Sequence, residues 1–287
     1  MSVPVILTRK PISDKNVFFS EKSIVSLFSE AGYKTFWFSM QSPYGLHDSP
    51  IALHAREASY VKFLNPADYK GSGFYDDALL PYLKEAVLSK GKTFIVLHLM
   101  GSHFNYADRY PEQFDVFKPS IKHKSIALQN RQEKEKLINS YDNSILFADY
   151  VLDQIIEIID EQKTVSAVFY VSDHGEVVFD GDCDKSGHGH NTEYDHITAS
   201  ILWLSDSYIT NNTEKYKNAF SKKESPLSTS NVFYSLAGMA GINYSDMDSS
   251  KDIFSDQWTP HPRILQNGLN FDASNRGEVC REIIPKN

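Results

Sequence analysis

The chain has 287 residues, 41% of them apolar, and a formal net charge of −8. That length supports one large α/β domain or two small ones, with enough apolar material for a sizeable core. The acidic balance argues against nucleic-acid binding, which requires a basic surface. It suits a metal site built from carboxylates and an ordinary acidic surface equally well.

The two cysteines, Cys183 and Cys280, form no spaced zinc motif. A disulfide and two free thiols both remain open until geometry decides. No run of about 18 apolar residues marks a transmembrane helix, and no charged-then-apolar leader opens the chain. Residues 1–7 (MSVPVIL) nevertheless read as part of an ordered segment. The expectation is therefore a fragment or truncated reading frame, soluble by itself.

Apolar segments alternate between helical and strand character, the α/β pattern. Ile24, Val25, Leu27 and Phe28 predict a helix over 23–31, ended by Gly32. KTFWFS (34–39) reads as a strand, 76–89 as an amphipathic helix closed by Gly91, and TFIVLHL (93–99) as a buried strand. A long helix is predicted over 131–160, with Ile138, Ile145, Leu146, Ala148, Tyr150, Val151, Ile155 and Ile158 on its apolar side. VSAVFYV (165–171) is a continuous apolar run of the parallel-sheet kind. ASILWL (199–204) is a further strand, and 227–240 a helix begun near Ser225-Pro226. Beyond Gly241 the chain is polar and irregular.

Two loops, 101–119 and 172–197, leave the carboxyl ends of predicted strands, where open α/β sheets bind ligands. Both are rich in His and Asp. In Ser172-Asp173-His174-Gly175-Glu176 a strand delivers a carboxylate and an imidazole side by side, and glycine lets the backbone turn tightly. Oxygen and nitrogen ligands together suit zinc; the bland alternative is a turn with a capping Asp and a surface His. Gly187-His188-Gly189-His190 follows three aspartates and leaves His188 room to reach a metal or a phosphoryl group. The alternative there is a flexible polar loop.

His98 lies within an apolar strand and reads as a hydrogen-bonded core residue. His103, just past the strand tip, is the better candidate, and Arg109 offers a planar donor fork that matches phosphate.

Taken together, these motifs resemble the alkaline phosphatase/sulfatase superfamily, and within it the bacterial phosphoethanolamine transferases. FIVLHLMGSHFNYADRYPEQFDVF (94–117) resembles the segment contributing a phosphate-site histidine, here His103. YDNSILFADYVL (141–152) resembles the helix after it, YVSDHGE (170–176) the metal-binding strand end, and His188-Gly189 the last active-site histidine. ILWLSD (201–206) matches the next strand, and SVPVILTRKP (2–11) the stretch just beyond the nucleophilic threonine. The likeness covers nearly the whole chain, with its motifs in order.

The resemblance implies a three-layer α/β/α fold with a mostly parallel central sheet, formed by 1–287 as a single catalytic domain truncated at its N-terminus. It implies one or two zinc ions held by Asp173, His174 and His188, with His103 and His188 catalytic. His103, Arg109 and His190 would bind substrate, the choice between His188 and His190 being open. The reaction implied is transfer of phosphoethanolamine from a phospholipid to a lipid A or core-sugar acceptor of lipopolysaccharide, through a covalent threonine intermediate. The nucleophile, a metal-binding Glu on a strand normally central in the sheet, and membrane helices would all lie before Met1. The parent protein would then sit in the bacterial inner membrane, its catalytic domain in the periplasm. Phe104-Asn105 stands where many members have Gly-Pro, and an Asp-rich insert precedes His188; both departures bear on the acceptor. A phosphoglycerol transferase, another superfamily hydrolase and a non-catalytic remnant are the competing readings.

Overall fold

The computed structural model describes residues 2–12, 14, 21–45, 48–65, 73–122, 124 and 126–286. In chain order the elements are α1 (Val3–Leu7), α2 (Ile24–Glu30), β1 (Lys34–Ser39), α3 (Asp48–Ala55), β2 (Tyr60–Phe63), α4 (Leu80–Val87), β3 (Thr93–His98), α5 (Lys134–Asp160) and β4 (Ala167–Val171). There follow β5 (Val177–Val178), β6 (Ser186–Gly187), α6 (Glu193–His196), β7 (Ser200–Leu204), α7 (Asp206–Asn211), α8 (Thr213–Ser221), α9 (Val232–Ala240), β8 (Asn275–Arg276) and β9 (Ile283–Ile284). Strands β2, β1 and β3 form a parallel sheet in that order. Strand β4 pairs with β7, and β5/β6 and β8/β9 are short hairpins.

Alternation along β3 sorts its side chains between two helical layers. Phe94 and Val96 pack with Phe28, Phe233 and Ala237 of α2 and α9. Ile95 and Leu97 pack with Leu83, Val151, Ile155 and Ile158 of α4 and α5. The result is the three-layer α/β/α arrangement, with helices on both faces of the sheet.

Several sequence expectations shift. The 165–171 run predicts a parallel-type buried strand, but β4 runs antiparallel to β7 and is only partly buried. An apolar run reports burial tendency and carries no signal of strand direction. The helix over 76–89 divides into a 3-10 turn, Asp76–Leu79, and α4, which has Pro81 in its first turn. Helix α9 starts at Val232, well past Pro226. It follows a 3-10 turn whose capping box joins Ser228 and Asn231. On α5 the buried face includes Ser140, Asn143 and Ser144, while Ile145 and Tyr150 are exposed. Asn143 Oδ1 accepts from the Val116 and Phe117 amides, and Ser140 Oγ from Ile121. This polar stripe buttresses the 101–121 loop. Cys183 and Cys280 form a disulfide that ties the 172–197 loop to the C-terminal hairpin.

Helix α2 is capped by Ser23, whose hydroxyl accepts from the Val25 amide. Glu57 gathers this corner. Burial pushes its carboxyl up, but bonds from His54, Ser26 and the Ser23 amide and hydroxyl outweigh that and hold it at about 2. A depressed carboxyl stabilises the fold above its unfolded value and loses that contribution as protons bind. Stability is therefore expected to fall between pH 4.5 and about 2 through this group. The loss should be about 1 to 2 kcal/mol after allowing for solvent screening. Acid titration of thermal stability checks it, with Glu57→Gln showing a flatter profile over that window.

Candidate functional site

The site forms where β3 and β4 end. The last residue of β3, His98, lies with Nδ1 3.0 Å from Ser39 Oγ on β1. Burial pushes its pKa down to about 4, opposed by nearby Asp173, so it stays neutral at physiological pH; it is partly exposed and lines the site cavity. Just beyond, the buried Asp76 carboxylate accepts from the Met100 and Gly101 amides, each at 2.8 Å. Burial raises Asp76 to about 6 against those two bonds. The loop leaving β3 is thus pinned at its root.

His103 follows, its Nδ1 2.5 Å from the Phe104 carbonyl. A carbonyl only accepts, so Nδ1 carries the proton and Nε2 is the lone-pair nitrogen. Burial lowers the His103 pKa. Arg109 Nε donates to the carbonyls of His103 (2.9 Å) and Asn105 (3.3 Å), bracing the loop that carries His103.

From β4, Asp173 and His174 emerge side by side. Asp173 Oδ1 accepts from the His174 amide at 3.0 Å, and Oδ2 lies 3.8 Å from His174 Nε2. His174 Nδ1 donates to the Gly175 carbonyl at 2.8 Å, which again makes Nε2 the lone-pair nitrogen. Two residues on, the Glu176 side chain is nearly buried. It accepts from the Tyr106 hydroxyl at 2.6 Å, and its second oxygen lies 3.2 Å from His188 Nδ1. That bond raises the His188 pKa over the opposing effect of burial. Burial and the same carboxylate raise the Tyr106 phenol, which stays protonated.

The ring centroids of His174 and His188 are 4.2 Å apart, and those of His103 and His188 6.3 Å. His174, Glu176 and His188 can each bring one ligand atom within 4.8 Å of the other two. Two imidazoles and a carboxylate, with Asp173 alongside, make a donor set that fits zinc.

Not every candidate joins this cluster. His98, His103, Asp173, His174, Glu176 and His188 line one shared cavity; Arg109 and His190 are absent from its lining. His190 Nε2 is 3.1 Å from the Ser186 carbonyl and 3.5 Å from Gln129 Nε2, on the flank of the loop. Glu176, Tyr106 and Asp76 are the site residues that sequence reasoning passed over. Glu176 stands two places after His174 in the same motif, which is a usable signal. Tyr106 lies in the flagged loop beside Arg109. Asp76 is remote in sequence and has no signal at all.

The sulfatase family model matches residues 2–242. Among named relatives, phosphoethanolamine transferase EptC of Escherichia coli K12 is 25% identical over 268 residues, 91% of this chain and 45% of that protein. The Kdo(2)-lipid A phosphoethanolamine 7''-transferase of the same strain is 28% identical over 216 residues, 72% of this chain and 36% of that protein. The chain thus spans less than half the length of these relatives. Among solved structures, the zinc complex of the C-terminal periplasmic domain of Escherichia coli EptC superposes with a TM-score of 0.83 at 22% identity, covering 97% of this chain and 79% of that one. The corresponding domain of Campylobacter jejuni EptC gives 0.74 at 27% identity, covering 91% and 80%.

Proposed function

The chain belongs to the sulfatase family, and from that membership we propose that it carries the metal- and phosphate-binding part of a zinc-dependent phosphoethanolamine transferase. The observation that carries this reading is the convergence of His103, His174, Glu176 and His188 at the shared ends of β3 and β4. The names of the relatives support the transferred group, and the zinc-bound neighbour supports the metal. The donor in this reading is a phospholipid and the acceptor a lipid A or core sugar of lipopolysaccharide. The covalent intermediate forms on a threonine supplied from outside this chain. The whole protein works at the inner membrane with this domain in the periplasm.

In this reading His174 and His188, with Asp173 or Glu176, would hold one zinc ion. Zinc in such a site polarises a phosphoryl oxygen and lowers the pKa of an attacking hydroxyl. The chain's own part is to position and to move protons. Asp173 holds the His174 amide, and Glu176 fixes the His188 ring by its Nδ1. His103, with Nδ1 committed to the Phe104 carbonyl, presents Nε2 as the base that takes a proton from the acceptor hydroxyl.

Zinc titration of the metal-free chain tests the site. Binding is expected, with His174→Ala and His188→Ala each weakening it tenfold or more and the remote His261→Ala leaving it unchanged. In the full-length protein, mass spectrometry should find phosphoethanolamine added to lipopolysaccharide, and His174→Ala should remove it. Zinc affinity indifferent to both histidines would overturn the site, and an unmodified acceptor would overturn the reaction.

A further inference from the structure

The C-terminal segment returns to the site. Ile264 and Asn270 pair across a small hairpin, closed by Leu265 N donating to Leu269 O at 2.8 Å and Gly268 N to Leu265 O at 2.9 Å. Asn267 Oδ1 accepts from the Leu269 amide at 3.0 Å, which fixes the tip. Leu265, Gln266 and Asn267 line the same cavity as His103, His174 and His188.

The hairpin is held at its base and at its tip. Arg263 Nε lies 3.1 Å from each Asp272 oxygen. The Phe271 ring centre is 4.8 Å from the Arg263 guanidinium and 4.4 Å from that of Arg276. Arg276 donates in turn to the Phe271 carbonyl at 2.9 Å and to Glu193 of α6 at 3.2 Å. At the tip, Asn267 Nδ2 donates to Asn191 Oδ1 at 3.1 Å, on the loop that carries His188. The same oxygen lies 3.1 Å from His196 Nε2. An amide oxygen only accepts, so His196 Nε2 carries a proton. Asn191 Nδ2 donates to the Ile283 carbonyl at 2.8 Å. The hairpin is therefore a fixed wall of the cavity, built from neutral amides and an imidazole.

One group on this wall is uncommitted. Gln266 is exposed, and among the described residues its side-chain amide has no hydrogen-bond partner. An amide offers an acceptor oxygen and two donor hydrogens, and a sugar hydroxyl both donates and accepts, so the two groups match. An ionised phosphate is met instead by arginine or lysine. Among the described residues, Lys92 is the only lysine or arginine that lines the cavity, and it stands before β3, at the opposite end of that strand from His98.

Position in the chain agrees. Residues 264–270 lie beyond the 2–242 stretch that the sulfatase family model matches, whereas His103, Asp173, His174, Glu176 and His188 lie within it. Chemistry common to a family belongs to its shared part. A loop outside that part, fixed at the rim of the same cavity, is where the choice of substrate is set.

We propose that the 264–270 hairpin is a saccharide-reading wall of the site, on which Gln266 exchanges hydrogen bonds with the hydroxyls of a neutral sugar unit of the acceptor. That this sugar belongs to an acceptor rests on the transferase reading. That the hairpin binds sugar hydroxyls does not.

The experiment uses the isotopically labelled chain and two probes: the core oligosaccharide of lipopolysaccharide, freed of lipid and phosphate, and inorganic phosphate. The Gln266 side-chain amide signals should shift with the oligosaccharide and stay in place with phosphate. Gln266→Ala should weaken oligosaccharide binding about twofold to tenfold, the worth of one exchanged hydrogen bond, with melting temperature and zinc affinity unchanged. In the full-length protein the same variant should raise KM for the acceptor by a like factor and leave cleavage of the donor in the absence of acceptor untouched. Gln266 signals that follow phosphate and not the oligosaccharide would overturn the proposal. So would signals that follow neither, or an oligosaccharide affinity indifferent to Gln266→Ala. Oligosaccharide shifts in a protein that cleaves no donor would support the hairpin's role in binding and overturn the transferase reading alone.

Discussion

Gly175→Ala is expected to abolish zinc binding and to cost about 3 kcal/mol or more, at the upper end of what overpacking usually does. A Cβ on Gly175 would lie 1.9 Å from the Tyr194 carbonyl oxygen and 2.4 Å from that of Ile197. Both are backbone atoms at α6 and its cap, so no rotamer change relieves the contact. Nor can α6 retreat easily. Its N-terminus is held by the Thr192–Asp195 capping box, and the Gly175 amide itself donates to the Asp195 carbonyl at 2.9 Å. The chain must move instead at Gly175, displacing His174 on one side and Glu176 on the other. Gly189→Ala is the informative contrast. It has a positive φ of +86° and nothing within 4 Å of an added Cβ, so only backbone strain opposes it. Its cost should be about 1 kcal/mol. Thermal unfolding and zinc titration of both variants check the comparison. A Gly175→Ala protein that melts and binds zinc like the parent would show that the close approach is absent in solution.

That glycine illustrates what the sequence can and cannot disclose. Its place after Asp173-His174 predicts a tight turn, but its φ is not in the positive range, and its role is to let α6 approach the strand end. Close approach depends on a segment 19 to 22 residues away and leaves no local mark. The same holds for Asp76, which grips the Met100 and Gly101 amides across the fold, and for the polar stripe of α5. There Ser140 and Asn143 face inward because loop amides need acceptors, whereas apolar periodicity put Ile145 and Tyr150 inside. The strands were legible because short apolar runs bounded by glycine or charge are hard to satisfy otherwise. Their partners were not, since the pairing of β4 with β7 depends on chain direction in space. The histidines were legible as a group because they cluster just past strand ends, where α/β sheets place ligands. Which histidine lines the site cavity was not: His188 and His190 share the same glycine, and only the side-chain partners separate them. The disulfide likewise needed geometry, with the two cysteines 97 residues apart and their Cα atoms 4.6 Å apart.

Glu176 is the residue from which the second large effect is expected. It joins a fully buried tyrosine to the exposed edge of the site: Tyr106 donates to one oxygen, and His188 Nδ1 approaches the other. Glu176→Ala removes both partners at once. The Tyr106 hydroxyl is left without an acceptor, at a cost of about 1 to 3 kcal/mol. His188 loses the bond that selects its tautomer and holds its ring, and outer partners of metal-binding histidines are typically worth about 10- to 100-fold in affinity. Because Glu176 also falls within the group that can converge on a metal, the zinc loss should reach the upper end of that range or beyond. Glu176→Gln separates the roles. Its carbonyl oxygen can still accept from Tyr106, so stability should return to within about 1 kcal/mol of the parent. Its amide, however, presents donors to His188 Nδ1, which then must accept and shift its proton to Nε2, the nitrogen a metal or phosphoryl group needs. Zinc affinity should therefore stay low in Glu176→Gln although the melting temperature recovers. The imidazole nitrogen shifts of His188 in the metal-free protein should report the change of tautomer directly. Recovery of both properties together would mean that Glu176 serves only the fold, and that His188 is oriented by something else.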